Sequence, residues 1–204
     1  MIFLEGYNVI KEKEIMEKKR IGVKSAIFPE PVLVLSTYNE DGTPDAMVAA
    51  WGFILDTGKI GVVLSADHKT TKNILRTKAT VLSLATSSYV DAIDYLGNVS
   101  ANDNPNKYKK SGLCFEKAPD IDAPLIKELP LSYECEFLEY DENKELMVFK
   151  IKEILADPLI LNEKGKLDLD KISPVSYDGF NHVYRGIGKE VGQAFKNNDS
   201  NFPK

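Results

Sequence analysis

A series of short apolar segments, several of them joined by short connections, limits the fold of this chain most strongly. PVLVLST (31–37) is apolar enough for a buried strand, NEDG (39–42) supplies a tight turn, and DAMVAAWGFI (45–54) is the return strand. Further strand-like segments follow at 59–66, 79–86 and 132–161. Short connections favour antiparallel pairing, so the pattern predicts a mainly β fold, a barrel with helical insertions.

Three segments between these strands carry helix signals. DHKTTKNILRTK (67–78) has an apolar face that contains Ile74 and Leu75. SSYVDAIDYLG (87–97) begins with capping serines and ends in glycine, and NPNKYKKSG (104–112) combines a capping Asn104 with Pro105 at the first helical position. We expect one domain over 1–204, with residues 1–20 as a lead-in segment and residues 197–204 as a tail.

Charge and hydropathy argue against several kinds of partner. The net charge is −5 at pH 7, and the sequence shows no basic face. Both features argue against nucleic acid as the main partner. The apolar stretches are strand-sized, so no membrane span is predicted, and MIFLEGYNVI is too short and too acidic for a signal peptide. We therefore expect a cytoplasmic protein.

The two cysteines and two histidines are the residues that could form a disulfide or a zinc site. They lie far apart in the sequence and lack the short ligand spacings of zinc sites, so ordinary packing is the better interpretation and no metal is predicted. One disulfide stays open as an alternative, although a reduced compartment is favoured. These residues are His68, Cys114, Cys135 and His182.

The return strand is unusually rich in small residues where it reaches the only tryptophan of the chain, Trp51. Ala46, Ala49 and Ala50 could leave the backbone accessible to a flat ligand. Alternatively, they could allow close packing against a helix, and composition alone favours this packing interpretation. A single indole is usually a core anchor, so Trp51 does not decide between these interpretations.

SADHKTTKNI (65–74) places a strand end, a polar corner and a helix start in succession. The free amides of a helix N-terminus attract anions, and Thr70, Thr71 and Lys69 add hydroxyl groups and positive charge. This corner therefore suits a phosphate, while the alternative is that Thr70 merely caps the helix. An open strand beside such a corner suggests a phosphorylated planar ligand.

Three segments in this order, FPEPVLVLSTYNEDGTPDAMVAAWG, SADHKTTKNI and VYRGIGKEVGQAF, resemble the flavin reductase-like, FMN-binding split-barrel proteins, which include flavoredoxins and ferric reductases. The resemblance extends from about Gly22 to Phe195. It implies a split β-barrel, a homodimer, and bound FMN near the subunit interface. It also implies electron transfer from NADH, NADPH or another small-molecule donor to an acceptor.

The resemblance also implies roles for individual residues. The isoalloxazine ring would contact Met47, Val48, Ala49, Ala50 and Trp51, and the ribityl phosphate would contact Ser65, Ala66, Asp67, His68, Thr70 and Thr71. Lys107 matches a lysine directed toward the cofactor, and His182 and Tyr184 match an aromatic segment near the flavin. No catalytic protein residue is expected, because the flavin itself carries out the redox chemistry.

One residue departs from the family pattern: Asp45 stands where relatives commonly have asparagine. An acidic side chain beside a flavin would oppose reduction of the flavin. Three alternatives follow: Asp45 points away from the flavin, it lowers the reduction potential of the flavin, or it alters flavin binding. Two other functions stay open, a non-catalytic FMN carrier or sensor and an oligonucleotide-binding barrel. The acidic balance makes the second a poor fit.

Overall fold

The computed structural model describes residues 18–195. Its strands are β1 (Glu30–Pro31), β2 (Leu33–Tyr38), β3 (Pro44–Ala49), β4 (Gly52–Asp56), β5 (Lys59–Val63), β6 (Ala79–Leu84), β7 (Phe115–Lys117), β8 (Pro124–Ile126), β9 (Leu131–Asp141), β10 (Leu146–Ala156), β11 (Val175–Asp178) and β12 (Val183–Gly186). Its α-helices are α1 (Lys69–Thr77), α2 (Val90–Asn98), α3 (Lys107–Lys110) and α4 (Leu169–Ile172), and 3-10 turns span Ser87–Tyr89 and Pro158–Ile160.

The largest sheet is an antiparallel, curled sheet of seven strands in the order β3-β2-β6-β9-β10-β5-β4. Its two edge strands, β3 and β4, are consecutive in the chain and are joined only by Ala50 and Trp51. This short link takes the chain from one edge of the sheet to the other. In the strand order, β3 and β4 are not neighbours, so the two edges are not paired with each other. The predicted mainly β split barrel with helical insertions is therefore confirmed.

Alternating side chains of β2 supply two cores on opposite faces of the sheet. Leu33 and Leu35 lie in the barrel interior with Phe149, whereas Val34 belongs to a second cluster beside α2. Full burial of a side chain such as Phe149 contributes roughly 1.5–3 kcal/mol. The strand paired with β3, β2, is thereby packed on both of its faces.

Several local predictions were correct and others were wrong at their boundaries. Gly42 adopts a φ of 80° in the predicted NEDG turn. The expected single strand 45–54 is broken at Ala50 and Trp51, because the chain leaves one sheet edge there and enters the other. The third predicted helix begins at Lys107 instead of at Pro105.

Gly97 was expected to end the second helix, but α2 continues through it to Asn98. A Cβ atom added at Gly97 would lie 3.2 Å from Cβ of Val48 on β3. The glycine is therefore explained by the close approach of α2 to the strand and not by helix termination.

A smaller sheet, in the order β1-β11-β12, lies beside α2. The Tyr184 hydroxyl on β12 donates a hydrogen bond to Asp94 on α2, with an O···O distance of 2.9 Å. This contact joins the late hairpin of the chain to a helix formed about ninety residues earlier. The smaller sheet therefore brings C-terminal side chains to the side of β3.

The remaining expectations concern cysteines, metals and membranes. Cys114 and Cys135 are both free thiols, so the alternative of a disulfide is wrong. Residues 18–195 contain no cluster of three or more potential metal ligands. None of the helices described above is long and apolar enough to cross a membrane. The lead-in segment lies mostly, and the tail wholly, outside the described residues.

Candidate functional site

Three adjoining cavities follow β3 and form one groove, which we call the β3 groove. The corner cavity, about 200 Å³, lies at the start of α1, and the central cavity, about 360 Å³, lies between α2 and the β11–β12 hairpin. These two cavities share Val48, Gly97 and Asn98. The outer cavity, about 540 Å³, shares Ala50 with the central one and contains Trp51. The three cavities of the groove thus adjoin one another along the strand.

The first turn of α1 forms one wall of the corner cavity. His68 is the N-cap residue, with extended backbone, and its side chain makes no capping hydrogen bond within the described residues. The alternative in which Thr70 caps the helix is wrong, because Thr70 lies inside the helix and its hydroxyl donates to Oδ2 of Asp45 at 2.6 Å. The fully buried hydroxyl of Thr71 has no hydrogen-bond partner among residues 18–195. No side chain in the described part of the chain therefore caps the first-turn amides.

A buried pair of opposite charges lies at the same corner. Lys107 is 3% exposed and donates hydrogen bonds to the carbonyl oxygens of Leu96 and Val99, at 2.9 and 2.8 Å. Its ammonium nitrogen lies 3.8 Å from Oδ1 of Asp45, which is 1% exposed. Burial lowers the pKa of Lys107, and the carboxylate of Asp45 counteracts this effect. Asp45 is thus directed toward Thr70 and Lys107.

Aromatic side chains of the late hairpin line the central cavity. The Tyr177 hydroxyl lies 2.7 Å from Nδ1 of His182, so these two groups share a hydrogen bond. Burial, followed by the hydrogen bond to Asp94, raises the pKa of Tyr184 to about 12. Tyr184 is therefore a neutral hydrogen-bond donor at physiological pH.

The turn that presents His182 is organised by Asp178. Its carboxylate accepts hydrogen bonds from the backbone amide of Phe180 and from the side chains of Asn181 and Arg185. These interactions lower the pKa of Asp178 to about 2, with the Asn181 and Arg185 hydrogen bonds as the main causes. His182 itself has a φ of 55° within this turn.

The residues of β3 and of the link that follows it serve two purposes. Ala46 is fully buried in the cluster beside α2, and Ala49 is buried in the barrel interior, so close packing explains both. Val48 and Ala50 instead line the groove. Trp51 is 52% exposed, which is not the environment of a core anchor.

The structure brings together most, but not all, of the residues expected to bind the cofactor. Those that line the β3 groove are Met47, Val48, Ala50, Trp51, His68, Thr70, Lys107, His182 and Tyr184. Those that line none of its three cavities are Ala49, Ser65, Ala66, Asp67 and Thr71. Ala49 faces the barrel core, whereas Ser65, Ala66 and Asp67 form the connection before α1.

Other groove residues were missed from the sequence. Asp94, Gly97 and Asn98 share one face of α2, and their spacing of three and four residues could have indicated a common surface. Tyr177 had no comparable signal, because its position depends on the pairing of β11 with both β1 and β12.

Comparisons with known proteins agree with this architecture. The model of the flavin reductase-like domain matches residues 25–164. The fold is similar to that of flavoredoxin from Desulfovibrio vulgaris (Miyazaki F), with a TM-score of 0.84 and 27% identity, covering 88% of this chain and 98% of that one. The uncharacterized protein YdfE of Bacillus subtilis (strain 168) is 25% identical over 210 residues, which cover 92% of this chain and 98% of that protein.

A third similarity concerns the fold alone. An FMN-binding domain of a flavin reductase-like enzyme from Shewanella baltica OS155 has a TM-score of 0.72 and 21% identity. The similar region covers 80% of this chain and 89% of that one.

Proposed function

The chain belongs to the family of flavin reductase-like domains, and on this premise we propose that it is an FMN-dependent oxidoreductase. In this proposal it passes electrons from NADH, NADPH or another small-molecule donor, through bound FMN, to an acceptor. The whole chain is proposed to act as one such domain. The proposal is supported mainly by the shape and chemistry of the β3 groove.

The observation that carries the proposal is that the groove has a polar, cationic end and an aromatic end. Lys69, Lys107 and the uncapped first-turn amides of α1 lie at the corner cavity. Tyr177 and Tyr184 lie at the central cavity, which directly adjoins it. A ligand with a phosphate at one end and a flat ring at the other matches this order of groups.

The corner residues are compatible with the phosphate of FMN. Thr70 lines the corner cavity, whereas Thr71, whose buried hydroxyl has no partner in the described part of the chain, lies near the start of α1 but lines none of the three cavities. The ammonium group of Lys107 has three protons and donates to two carbonyl oxygens, which leaves one for an anion or for Asp45. Asp45 lowers the positive charge of the corner without cancelling the contributions of Lys69 and the helix dipole.

The edge position of β3 supports a role for its backbone. Among residues 18–195, β3 is paired in the sheet on one side only, with β2, so alternate amide and carbonyl groups from Met47 to Ala49 are not used by that pairing. These groups can bind the polar edge of a flat ring, and Val48 and Ala50 leave room beside them. Bound FMN supplies the electron-transfer chemistry, and the chain contributes binding, orientation and electrostatics.

A homodimer is part of the proposal. Ile54 and Leu55 on the free edge strand β4 are 71% and 45% exposed, which is unusual for adjacent large apolar residues on a sheet edge. A second copy that covers this part of β4 would remove both from water. Sedimentation equilibrium that returns only a monomer at micromolar concentrations would contradict this part of the proposal.

The cofactor assignment is tested by flavin titration. Trp51→Ala and Thr70→Ala should each weaken FMN binding by about two- to tenfold, because they remove a ring contact and a hydroxyl group that lines the corner cavity. Fluorescence titration measures the affinity, and thermal unfolding checks that the barrel is intact. Tyr89→Ala, which alters an exposed aromatic residue outside the groove, and Thr77→Ala, later in α1, are matched controls.

The redox assignment is tested separately on the FMN-loaded protein. Rapid anaerobic loss of the flavin absorbance on mixing with NADH or NADPH supports the oxidoreductase. Tight FMN binding with no reduction by either nicotinamide would support the alternative function of a carrier or sensor. A colourless protein that ignores micromolar FMN would exclude both functions.

A further inference from the structure

His182 is an exposed residue whose backbone conformation is unusual for its type. It lines the central cavity, and its exposure makes it accessible to a ligand there. It ends the turn between β11 and β12 with a φ of 55°, a conformation for which glycine is the usual residue. The chain therefore keeps an imidazole at a position where backbone conformation alone favours glycine.

A buried aspartate, Asp178, holds this turn together. Its Oδ2 atom accepts hydrogen bonds from the side chains of Asn181 and Arg185, at 2.9 and 2.7 Å. The backbone amide of His182 donates to the carbonyl oxygen of Asp178 at 2.8 Å. A buried charge and a backbone hydrogen bond therefore fix the position of His182, although the residue itself is exposed.

The imidazole ring of His182 has one nitrogen in use and one available. Nδ1 lies 2.7 Å from the hydroxyl oxygen of Tyr177, whose strand β11 is paired on both sides, with β1 and β12. No residue in 18–195 forms a hydrogen bond with Nε2. When Nδ1 donates its proton to the Tyr177 oxygen, Nε2 is the nitrogen that exchanges protons with a ligand.

The titratable and charged groups on the elements around His182 belong to the hairpin, to α2 and to β1: Tyr177, Asp178, Tyr184, Arg185, Asp94 and Glu30, the last of which also lines the outer cavity. Each of the three carboxylates accepts a hydrogen bond from a residue other than His182. Histidine ordinarily changes charge between about pH 5 and pH 8, which distinguishes it from carboxylates, tyrosine and arginine. Among the described residues that line the central cavity, His182 is therefore the group suited to proton transfer near neutral pH.

We propose that His182 is a catalytic acid of the central cavity, for an acceptor that gains protons together with electrons, as a quinone does. A quinone becomes a hydroquinone by taking up a hydride, which carries two electrons and one proton, and a second proton. Nε2 supplies the second proton: an O–H bond forms on the quinone as the Nε2–H bond breaks. The imidazole is left neutral with its proton on Nδ1, and it recovers the other proton from water.

This role rests on the function proposed above, in which NADH, NADPH or another small-molecule donor supplies the electrons. It restricts the acceptor to compounds that are protonated on reduction. It also adds a catalytic residue to a chain in which the sequence indicated none.

The kinetic test compares two acceptors on the FMN-loaded full chain, reduced beforehand with dithionite and mixed rapidly without oxygen. 1,4-Benzoquinone takes up protons when it is reduced, whereas ferricyanide takes up one electron and no proton. His182→Gln should slow reoxidation by benzoquinone about 100-fold and should change the rate with ferricyanide by less than about twofold. The wild-type rate with benzoquinone should fall between about pH 5 and pH 8, because the protonated imidazole is lost, and the variant should not show this dependence.

Asn181→Ala is the matched control, because it weakens the same turn but keeps the imidazole. Asn181 lines none of the three cavities of the β3 groove. Any effect of this substitution should therefore be of the same size for both acceptors.

A second readout uses the full chain without added flavin. The chain has two histidines, so comparison with His68→Gln assigns the imidazole NMR signals of His182. The nitrogen chemical shifts should place the proton of neutral His182 on Nδ1 in wild type and move it toward Nε2 in Tyr177→Phe, because the oxygen that accepts from Nδ1 is lost.

Three results would overturn the proposal: an unchanged rate with benzoquinone in His182→Gln, equal slowing with both acceptors, or a proton on Nε2 in the neutral wild-type ring. Each of them leaves the proposed FMN-dependent function standing. A chain that binds no FMN would instead reject the proposed function, and the catalytic role of His182 with it.

Discussion

The two ends of the β3 groove are built in different ways. At the corner cavity, Asp45, Thr70 and Lys107 are all buried and are bonded to one another or to backbone carbonyls. At the central cavity, Tyr184 is partly exposed and His182 is well exposed, and their side chains form hydrogen bonds with Asp94 and Tyr177 respectively. The corner belongs to the folded core, whereas the aromatic end is attached to its surface.

This difference separates stability from binding. A change at the corner alters buried charges, so it affects the free energy of unfolding and the affinity for an anion together. A change at the aromatic end alters groups that water already reaches, and the barrel beneath it should tolerate that change. The two ends can therefore be distinguished by whether a substitution changes stability, binding or both.

The largest effect is expected for Lys107→Met. Methionine retains much of the apolar stem but removes the buried ammonium, which leaves Asp45 without its opposite charge and two carbonyl oxygens without their donor. Loss of one partner from a buried pair typically costs about 3–5 kcal/mol of unfolding free energy. Urea denaturation at neutral pH measures this change.

The control adds Asp45→Asn to the Lys107→Met variant. The double variant should be more stable than Lys107→Met alone, because the uncompensated carboxylate is gone. Equal stability of the single and double variants would show that the two charges do not interact energetically in the folded protein.

A smaller effect is expected for Asp45→Asn alone, on binding. The asparagine oxygen can still accept the Thr70 hydroxyl, but the charge that competes for Lys107 is lost. FMN should then bind about fivefold more tightly, which corresponds to ~1 kcal/mol. Fluorescence titration measures the change, and riboflavin, which lacks the phosphate, should bind wild type and variant equally. The same gain for both flavins would mean that Asp45 acts on the ring and not on the phosphate.

The same contrast explains what the sequence could predict. The corner is largely local, because SADHKTTKNI contains the strand end, the helix start and the hydroxyl residues within ten positions. The strands of the seven-stranded sheet and their mostly antiparallel pairing followed from apolar segments with short connections, but the order of the strands did not. Burial of Thr71 and Asp45 could not be predicted, since it depends on α1 packing against β2 and β3.

The aromatic end and the outer cavity depend on contacts distant in sequence. Tyr184 meets Asp94 across 90 positions, and Glu30 is fixed by Ser176 across 146 positions. No sequence pattern around Tyr184 or around Glu30 specifies the partner of that residue. The register of β11 between β1 and β12 determines which side chains meet. The resemblance to a known family located His182 and Tyr184, but not Tyr177, Asp94 or Glu30.

The smallest effect is expected for Asp178→Asn, at the aromatic end, and it should depend on pH. The folded-state pKa of Asp178 is about 2, below the ordinary value of 3.8, so its stabilising contribution is present above pH 3.8 and is lost as the pH falls toward 2. The variant places an amide where Asn181 and Arg185 donate, so it should be slightly less stable than wild type at pH 6. Urea midpoints should converge between pH 3.8 and pH 2, and a constant difference across this range would contradict the role of the carboxylate charge in holding the turn that presents His182.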